Sequence, residues 1–279
     1  MTEKTEQKIA IVTGASKGIG LEITKALIRD GYLVYGLARS DAGSKAMPED
    51  CAEKVRWRKC DVSDSENVHK VFEEIFDEAG KADVLICNAG IGISGAAEFV
   101  PEADYKAQTE VNFNGAVACA QAVIPAMRQA GRGKIVFISS LAAIFPLPFQ
   151  GFYSATKAAL NAFSDSLGIE LKPFGIETSA VMLNDVKTDF TENRRKTAIG
   201  DDIYEGRIEA SVSKMEKSEQ NGMTPEQVAH TVSSILKRKH LPPHKIVGFS
   251  NEILGFLFRI LRAIAARQPL RFVGCRDVT

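Results

Sequence analysis

Apolar positions along the chain change their period repeatedly, and the changes define the elements. "KIAIVTG" (8–14) is a short β-branched run closed by glycine, which predicts a strand. In "IGLEITKALIRDG", Ile19, Ile23 and Leu27 recur at helical spacing and Gly31 stands where a helix cap belongs. Strands follow at 32–38 and 55–62, a helix at about 65–79, and another strand in "ADVLICNAG" (82–90). A helical region covers roughly 102–130, with Pro125 expected to kink or end part of it. "GKIVFISS" (133–140) reads as a strand, and the next helix runs to about residue 171. Strands at 175–183 and 244–250 complete the series.

Near-continuous apolar strands separated by helices indicate a parallel sheet covered on both faces. The fold expected is α/β, a doubly wound Rossmann-like sheet forming one domain over 1–279, since no linker or repeat divides the chain. Residues 188–224 break the rhythm with a long polar, charged run, read as a mobile functional flap. Thr224 followed by Pro225 marks a firm helix start behind it. An apolar and basic extension occupies about 251–279.

Composition narrows the function classes. Lys plus Arg and Asp plus Glu both number 35, so there is no charge excess to neutralise nucleic-acid phosphates. The five cysteines (51, 60, 87, 119 and 275) form no C-x-x-C pair and read as reduced thiols, so a cytoplasmic location is expected with no metal site. The polar start "MTEKTEQK" does not resemble a secretory signal. The stretch at 253–266 is too short, and too interrupted by Arg259 and Arg262, to span a bilayer. Peripheral membrane contact through it is an open alternative to substrate binding or subunit contact.

The candidate chemistry begins at "TGASKGIG" (13–20), whose glycines join the first strand to the first helix. A close backbone and a helix N-terminus there can accept a pyrophosphate, although a tight turn alone would need the same glycines. In "GFYSATKAALNAF", Tyr153 and Lys157 lie one helical turn apart. Taken alone, they could be two ordinary helix residues. Further segments then appear in order: "CDVSD" (60–64), "NAG" (88–90), "VNFNG" (111–115), and Ser140 at a strand end. The set resembles the short-chain dehydrogenase/reductase family, in its short single-domain branch, over residues 8 to about 190.

The resemblance implies a nicotinamide cofactor and interconversion of a secondary alcohol with its ketone. Gly14, Gly18 and Gly20 would form the cofactor turn, with Ser16 and Ile19 beside the phosphates and nicotinamide. Asp61 and Val62 would meet the adenine, and Asn88, Ala89 and Gly90 would lie along the cofactor. Asn112, Ser140, Tyr153 and Lys157 match the catalytic tetrad, with Tyr153 and Lys157 also touching the cofactor. Asn112 would hold a water that links Lys157 to solvent. An ammonium beside the phenol, with the oxidised nicotinamide's charge, is expected to lower the Tyr153 pKa. Alternation along the strand turns Ser139 to the opposite face from Ser140. The four histidines are expected at surface or loop positions, and Asp185 and Asp189 as capping or solvated groups.

At the end of the second strand Ala38 and Arg39 stand where an NAD-selective site places an acid, so NADP(H) is expected over NAD(H). Arg39 and Lys17 would pair with the 2′-phosphate, with Asp41 as a competing neighbour. Leu183-Asn184 replaces the family's Pro-Gly. Asn184 could adopt positive φ and save the turn, and contacts from Val186 and Thr188 to the nicotinamide are expected there. The tail and flap resemble the steroid and retinoid dehydrogenases, which points to a lipophilic, steroid-like substrate. The alternatives are a 3-oxoacyl-thioester reductase and a non-catalytic nucleotide sensor. A homodimer or homotetramer is expected by resemblance.

Overall fold

The computed structural model describes residues 7–40 and 47–247. Its main sheet has seven parallel strands. They are β1 (Lys8–Thr13), β2 (Tyr32–Ala38), β3 (Val55–Lys59), β4 (Val84–Cys87), β6 (Gly133–Ser140), β7 (Ile176–Leu183) and β9 (His244–Ile246), in the order β3-β2-β1-β4-β6-β7-β9. Two short strands, β5 (Ile93–Ser94) and β8 (Arg195–Lys196), pair separately, also in parallel. The chain winds outward from β1 to β3, then crosses to β4 and winds the other way. The reversal opens a crevice beyond the carboxyl ends of β1 and β4.

The period-2 alternation of β1 supplies both faces. Ala10 and Val12 enter one core, and Ile9 and Ile11 the other. The first core is closed by α1 (Gly18–Arg29) and by α7 (Pro225–Leu236). Ile23 and Leu27 of α1 are fully buried there, and burying each side chain is worth about 1.5–3 kcal/mol. The second core is closed by α2 (Ser65–Ala79), α4 (Gly115–Ala130) and α5 (Gly151–Leu171). Asp64 caps α2 by accepting from Asn67 N (3.0 Å), and Gly80 ends it at φ +70°. Thr224 and Gln227 form a reciprocal capping box at the start of α7.

Three expectations change. The 102–130 region is interrupted, but at residues 110–114 rather than at Pro125. There a π-turn separates α3 (Glu102–Thr109) from α4. Pro125 is tolerated inside α4 because the carbonyl it leaves unbonded, that of Gln121, belongs to an exposed residue facing water. The polar 188–224 run, read as a break in the strand–helix rhythm, holds β8 and the fourteen-residue α6 (Arg207–Gln220). Only Ile208 and Val212 of α6 are buried, too thin an apolar stripe to stand out in so charged a sequence. The strands at 55–62 and 82–90 are shorter, spanning 55–59 and 84–87. Residues 248–250 of the last expected strand, the 251–279 extension, Asp41 and Cys275 lie outside the described residues.

Cys51, Cys60, Cys87 and Cys119 are all buried. His69, His230 and His240 are exposed; His244 is half-buried on β9, with Nε2 2.6 Å from Asp165 Oδ1. Among the described residues no helix is long and apolar enough to cross a membrane, and no cluster of potential metal ligands occurs.

Candidate active site

Parallel strands deliver their C-terminal residues to one edge of the sheet, so Gly14, Asn88, Ser140 and Leu183 arrive there together. The glycine turn is built by steric exclusion. Gly14 has φ +63°, and a Cβ on it would lie 3.0 Å from Ala89 Cα. A Cβ on Gly20 would lie 2.2 Å from the Gly14 carbonyl oxygen, an impossible contact. Gly18 (φ +53°) instead faces Thr188, whose methyl is 3.6 Å from where a Cβ would stand.

Asn88 holds this turn. Its Nδ2 donates to the carbonyls of Thr13 (3.0 Å) and Gly14 (3.2 Å). Its own backbone N–H and that of Ala89 donate to Thr13 Oγ1 at 2.9 and 3.1 Å. Thr13 thus joins the candidate site as a brace for the turn that the motifs did not single out; its signal in the sequence is a polar residue at the buried end of an apolar strand. Lys17 precedes α1 with no side-chain cap, and no acid occupies the first helical turn. An uncapped positive helix end behind a close backbone suits a pyrophosphate.

Farther along the crevice, Asp61 accepts from Ser63 N (3.0 Å) and Ser63 Oγ (2.7 Å), while its own N–H donates to Asn67 Oδ1 (2.9 Å). A Cβ on Gly115 would lie 2.6 Å from the Val62 carbonyl oxygen, so glycine there lets α4 approach Val62. Lys17 and Arg39 are both exposed; Ser16 and Ile19 are half-buried.

Asn112, Ser140, Tyr153 and Lys157 converge at this edge. The π-turn carries Asn112 inward, buried to 1%. Its Oδ1 accepts from Ile91 N (2.8 Å), and its Nδ2 donates to Ile91 O (3.0 Å) and Thr156 Oγ1 (3.3 Å). The Asn112 amide is thus spent on clamping the loop after β4. A Cβ on Gly90 would come within 3.3 Å of Asn112 Oδ1 and 3.9 Å of Lys157 Nζ, so glycine leaves the space between them clear. Lys157 Nζ donates to the Ile138 carbonyl at 2.8 Å and lies 5.8 Å from the Tyr153 ring centroid. Ser139 turns away from Ser140, its Oγ donating to the Lys157 carbonyl (3.4 Å).

The Tyr153 side chain is half-buried. Burial pushes that phenol up to about 12, against the opposing effects of a Ser140 hydrogen bond and the Arg194 charge. Desolvation, rather than the Lys157 ammonium, sets the direction for the phenol of the protein alone. The same burial pushes the Lys157 ammonium down to about 8.

The flap closes the site from above. Phe190 lies 6.0 Å from the Tyr153 ring. Arg194 stands 5.6 Å from the Phe190 ring centroid and pairs with Glu219 of α6. Neither residue was legible in the polar run that contains them. Phe149, at φ +60°, meets Tyr204 edge to face at 5.6 Å. Asn184 does not adopt positive φ. The segment after β7 is held instead by pairing of Val186 with Met223. Asp185 accepts from Ser218 Oγ, and Asp189 is exposed.

Residues 8–199 match the short chain dehydrogenase family. The chain belongs to it. A 3-ketodihydrosphingosine reductase of Bacteroides thetaiotaomicron is 38% identical over 251 residues, covering 89% of this chain and 91% of that protein. A short-chain dehydrogenase from Streptomyces avermitilis superposes with a TM-score of 0.81 at 27% identity, covering 95% of each chain. An alcohol dehydrogenase from Thermococcus sibiricus, solved with 5-hydroxy-NADP, gives a TM-score of 0.72 at 25% identity, covering 86% of this chain and 96% of that one. As a short-chain dehydrogenase, the protein is an oxidoreductase acting on CH–OH groups with a nicotinamide cofactor.

Proposed function

We propose that the protein reduces a lipophilic ketone to its secondary alcohol with NADPH, through Tyr153 as proton donor. The observation that carries this reading is the convergence of Tyr153, Ser140 and Lys157 on the sheet edge that also bears the glycine turn. When bound, the nicotinamide cofactor would lie along Gly14, Ser16, Gly18, Ile19, Gly20, Asp61, Val62, Ala89, Gly90, Val186 and Thr188, and would supply the hydride. Asn88 serves it indirectly, by fixing the glycine turn. Ser140 hydrogen-bonds the substrate carbonyl and holds it against the phenol. A phenol pushed up to about 12 is protonated near neutrality, the state required of a donor to a developing alkoxide. Lys157, pushed down to about 8, lies closer to neutrality than an ordinary lysine and can restore that proton. Asn112 positions the loop that borders both groups.

Arg39 and Lys17 favour NADPH, because both are exposed cations flanking the place where a 2′-phosphate would sit. The Thermococcus relative with its 5-hydroxy-NADP supports the same choice. Phe190, Phe149 and Tyr204 give the flap side an aromatic lining suited to an apolar substrate, a steroid-like skeleton included. The reductase from Bacteroides, named for a keto compound, is consistent with the reductive direction. A cytoplasmic homo-oligomer with a flap at 188–224 that orders further on substrate remains part of this reading. The test is consumption of NADPH with a panel of lipophilic ketones. Tight NADPH binding without turnover of any of them would support a nucleotide-sensing protein instead.

A further inference from the structure

Arg194 is the most deeply buried charged residue of the flap, with its side chain exposed to only 1%. Its Nη2 donates to Glu219 Oε1, while Glu219 Oε2 accepts from Thr191 Oγ1. The other edge of the guanidinium is different. Nε and Nη1 have no hydrogen-bond partner among the described residues, the nearest carboxylate to Nη1 being Glu216 Oε1 at 3.7 Å. Leaving such donors dry is costly, so an orphaned buried pair calls for a partner that the protein itself does not provide.

Position says what that partner is near. The Arg194 guanidinium lies over Phe190, 5.6 Å from its ring centroid, and the Phe190 ring is 6.0 Å from that of Tyr153. Nε approaches within 3.4 Å of where a Gly92 Cβ would be, and the Phe190 ring within 2.9 Å of the same point. Glycine at 92 therefore admits both side chains to the loop that Asn112 clamps at Ile91. Arg194 therefore neighbours the reaction site, near enough for its charge to act on the Tyr153 phenol, with Nε on the side of the Gly92 loop.

Charge says what kind of group it takes. Arg194 is matched by Glu219, and Glu216 by Lys196 at 2.6 Å, so the cluster is already neutral. A ligand carboxylate would add an uncompensated buried charge. A neutral oxygen would accept both donors without that penalty.

We infer that Arg194 is a specificity-determining residue whose Nε–Nη1 edge binds a neutral oxygen acceptor, a hydroxyl or ester-type carbonyl, a few bonds from the ketone being reduced. This rests on the ketone-reductase reading and narrows its substrate class to oxygenated lipophilic ketones.

The test compares ethyl 3-oxododecanoate with pentadecan-6-one, in which methylenes replace the ester group. For each protein kcat/KM with NADPH is measured for both, and the ratio is compared between proteins so that intrinsic reactivity cancels. Arg194→Lys keeps the charge opposite Glu219 but loses the forked donor edge. Arg194→Met combined with Glu219→Gln removes both charges together, which guards against misfolding from an unpaired carboxylate. The expected result is a loss of roughly 10–100-fold in the preference for the ester in both variants, with NADPH affinity and circular dichroism unchanged. An unchanged preference in a folded, NADPH-binding variant overturns the assignment to Arg194 while leaving the reductase reading intact. Absence of turnover of either ketone by the wild type, with NADPH bound, overturns both.

Discussion

Lys157 carries a penalty that should be visible in stability alone. Its ammonium is 6% exposed and is pushed from 10.5 down to about 8, chiefly by desolvation. At 1.36 kcal/mol per pKa unit, that shift corresponds to about 3 kcal/mol against the folded state while the group is charged in both states. The sign follows from proton counts. Between pH 8 and 10.5 the unfolded chain holds the proton that the folded chain has released, so stability rises with pH through this window. Below it the penalty is fully present, and above it the penalty is gone. Lys157→Met removes the titration but also the bond to the Ile138 carbonyl, worth about 1 kcal/mol. The variant should therefore be more stable than wild type by about 2 kcal/mol near neutrality. That advantage should vanish as the pH approaches 10.5. Tyr153, whose raised pKa makes stability fall with pH above 10, is present in both proteins and largely cancels in the difference. Urea unfolding at fixed protein concentration, without cofactor and across this range, provides the measurement. A difference that stays flat with pH would show that Lys157 titrates alike in both states and would refute the argument.

Tyr153→Phe should lower turnover by roughly 10²–10⁴-fold with NADPH affinity nearly intact, because only the proton donor is lost; fluorescence titration beside steady-state kinetics separates the two. Arg39→Ala should reduce the NADPH-over-NADH ratio of kcat/KM by tens-fold, as expected for one charge-assisted contact of about 1.5–3 kcal/mol; an unchanged ratio removes Arg39 from cofactor selection. Gly20→Ala should abolish measurable NADPH binding, since its methyl would meet the Gly14 carbonyl at 2.2 Å and force the turn open; calorimetric titration of the folded variant decides.

The chain's alternating periods were enough to establish the doubly wound sheet, because a strand buried on both faces and a helix buried on one leave different local patterns. Glycine spacing exposed the turn at 14–20, and the fit of Thr224 and Pro225 to a helix start needed only neighbouring residues. Those signals are local, as are the Tyr153–Lys157 spacing and the Ser139–Ser140 alternation. The π-turn at 110–114 was not legible, for its stability comes from the Asn112 side chain binding Ile91 across the fold. Nor was α6, whose two buried residues find a core only once the flap is folded over the sheet edge. The raised Tyr153 pKa and the lowered Lys157 pKa of the protein alone were not legible, because desolvation depends on everything packed around a group, not on its helical neighbour. Arg194 shows the limit most plainly. In sequence it is one arginine of a charged run, and only tertiary contacts with Glu219, Phe190 and Gly92 bury it beside the phenol with two donors unspent.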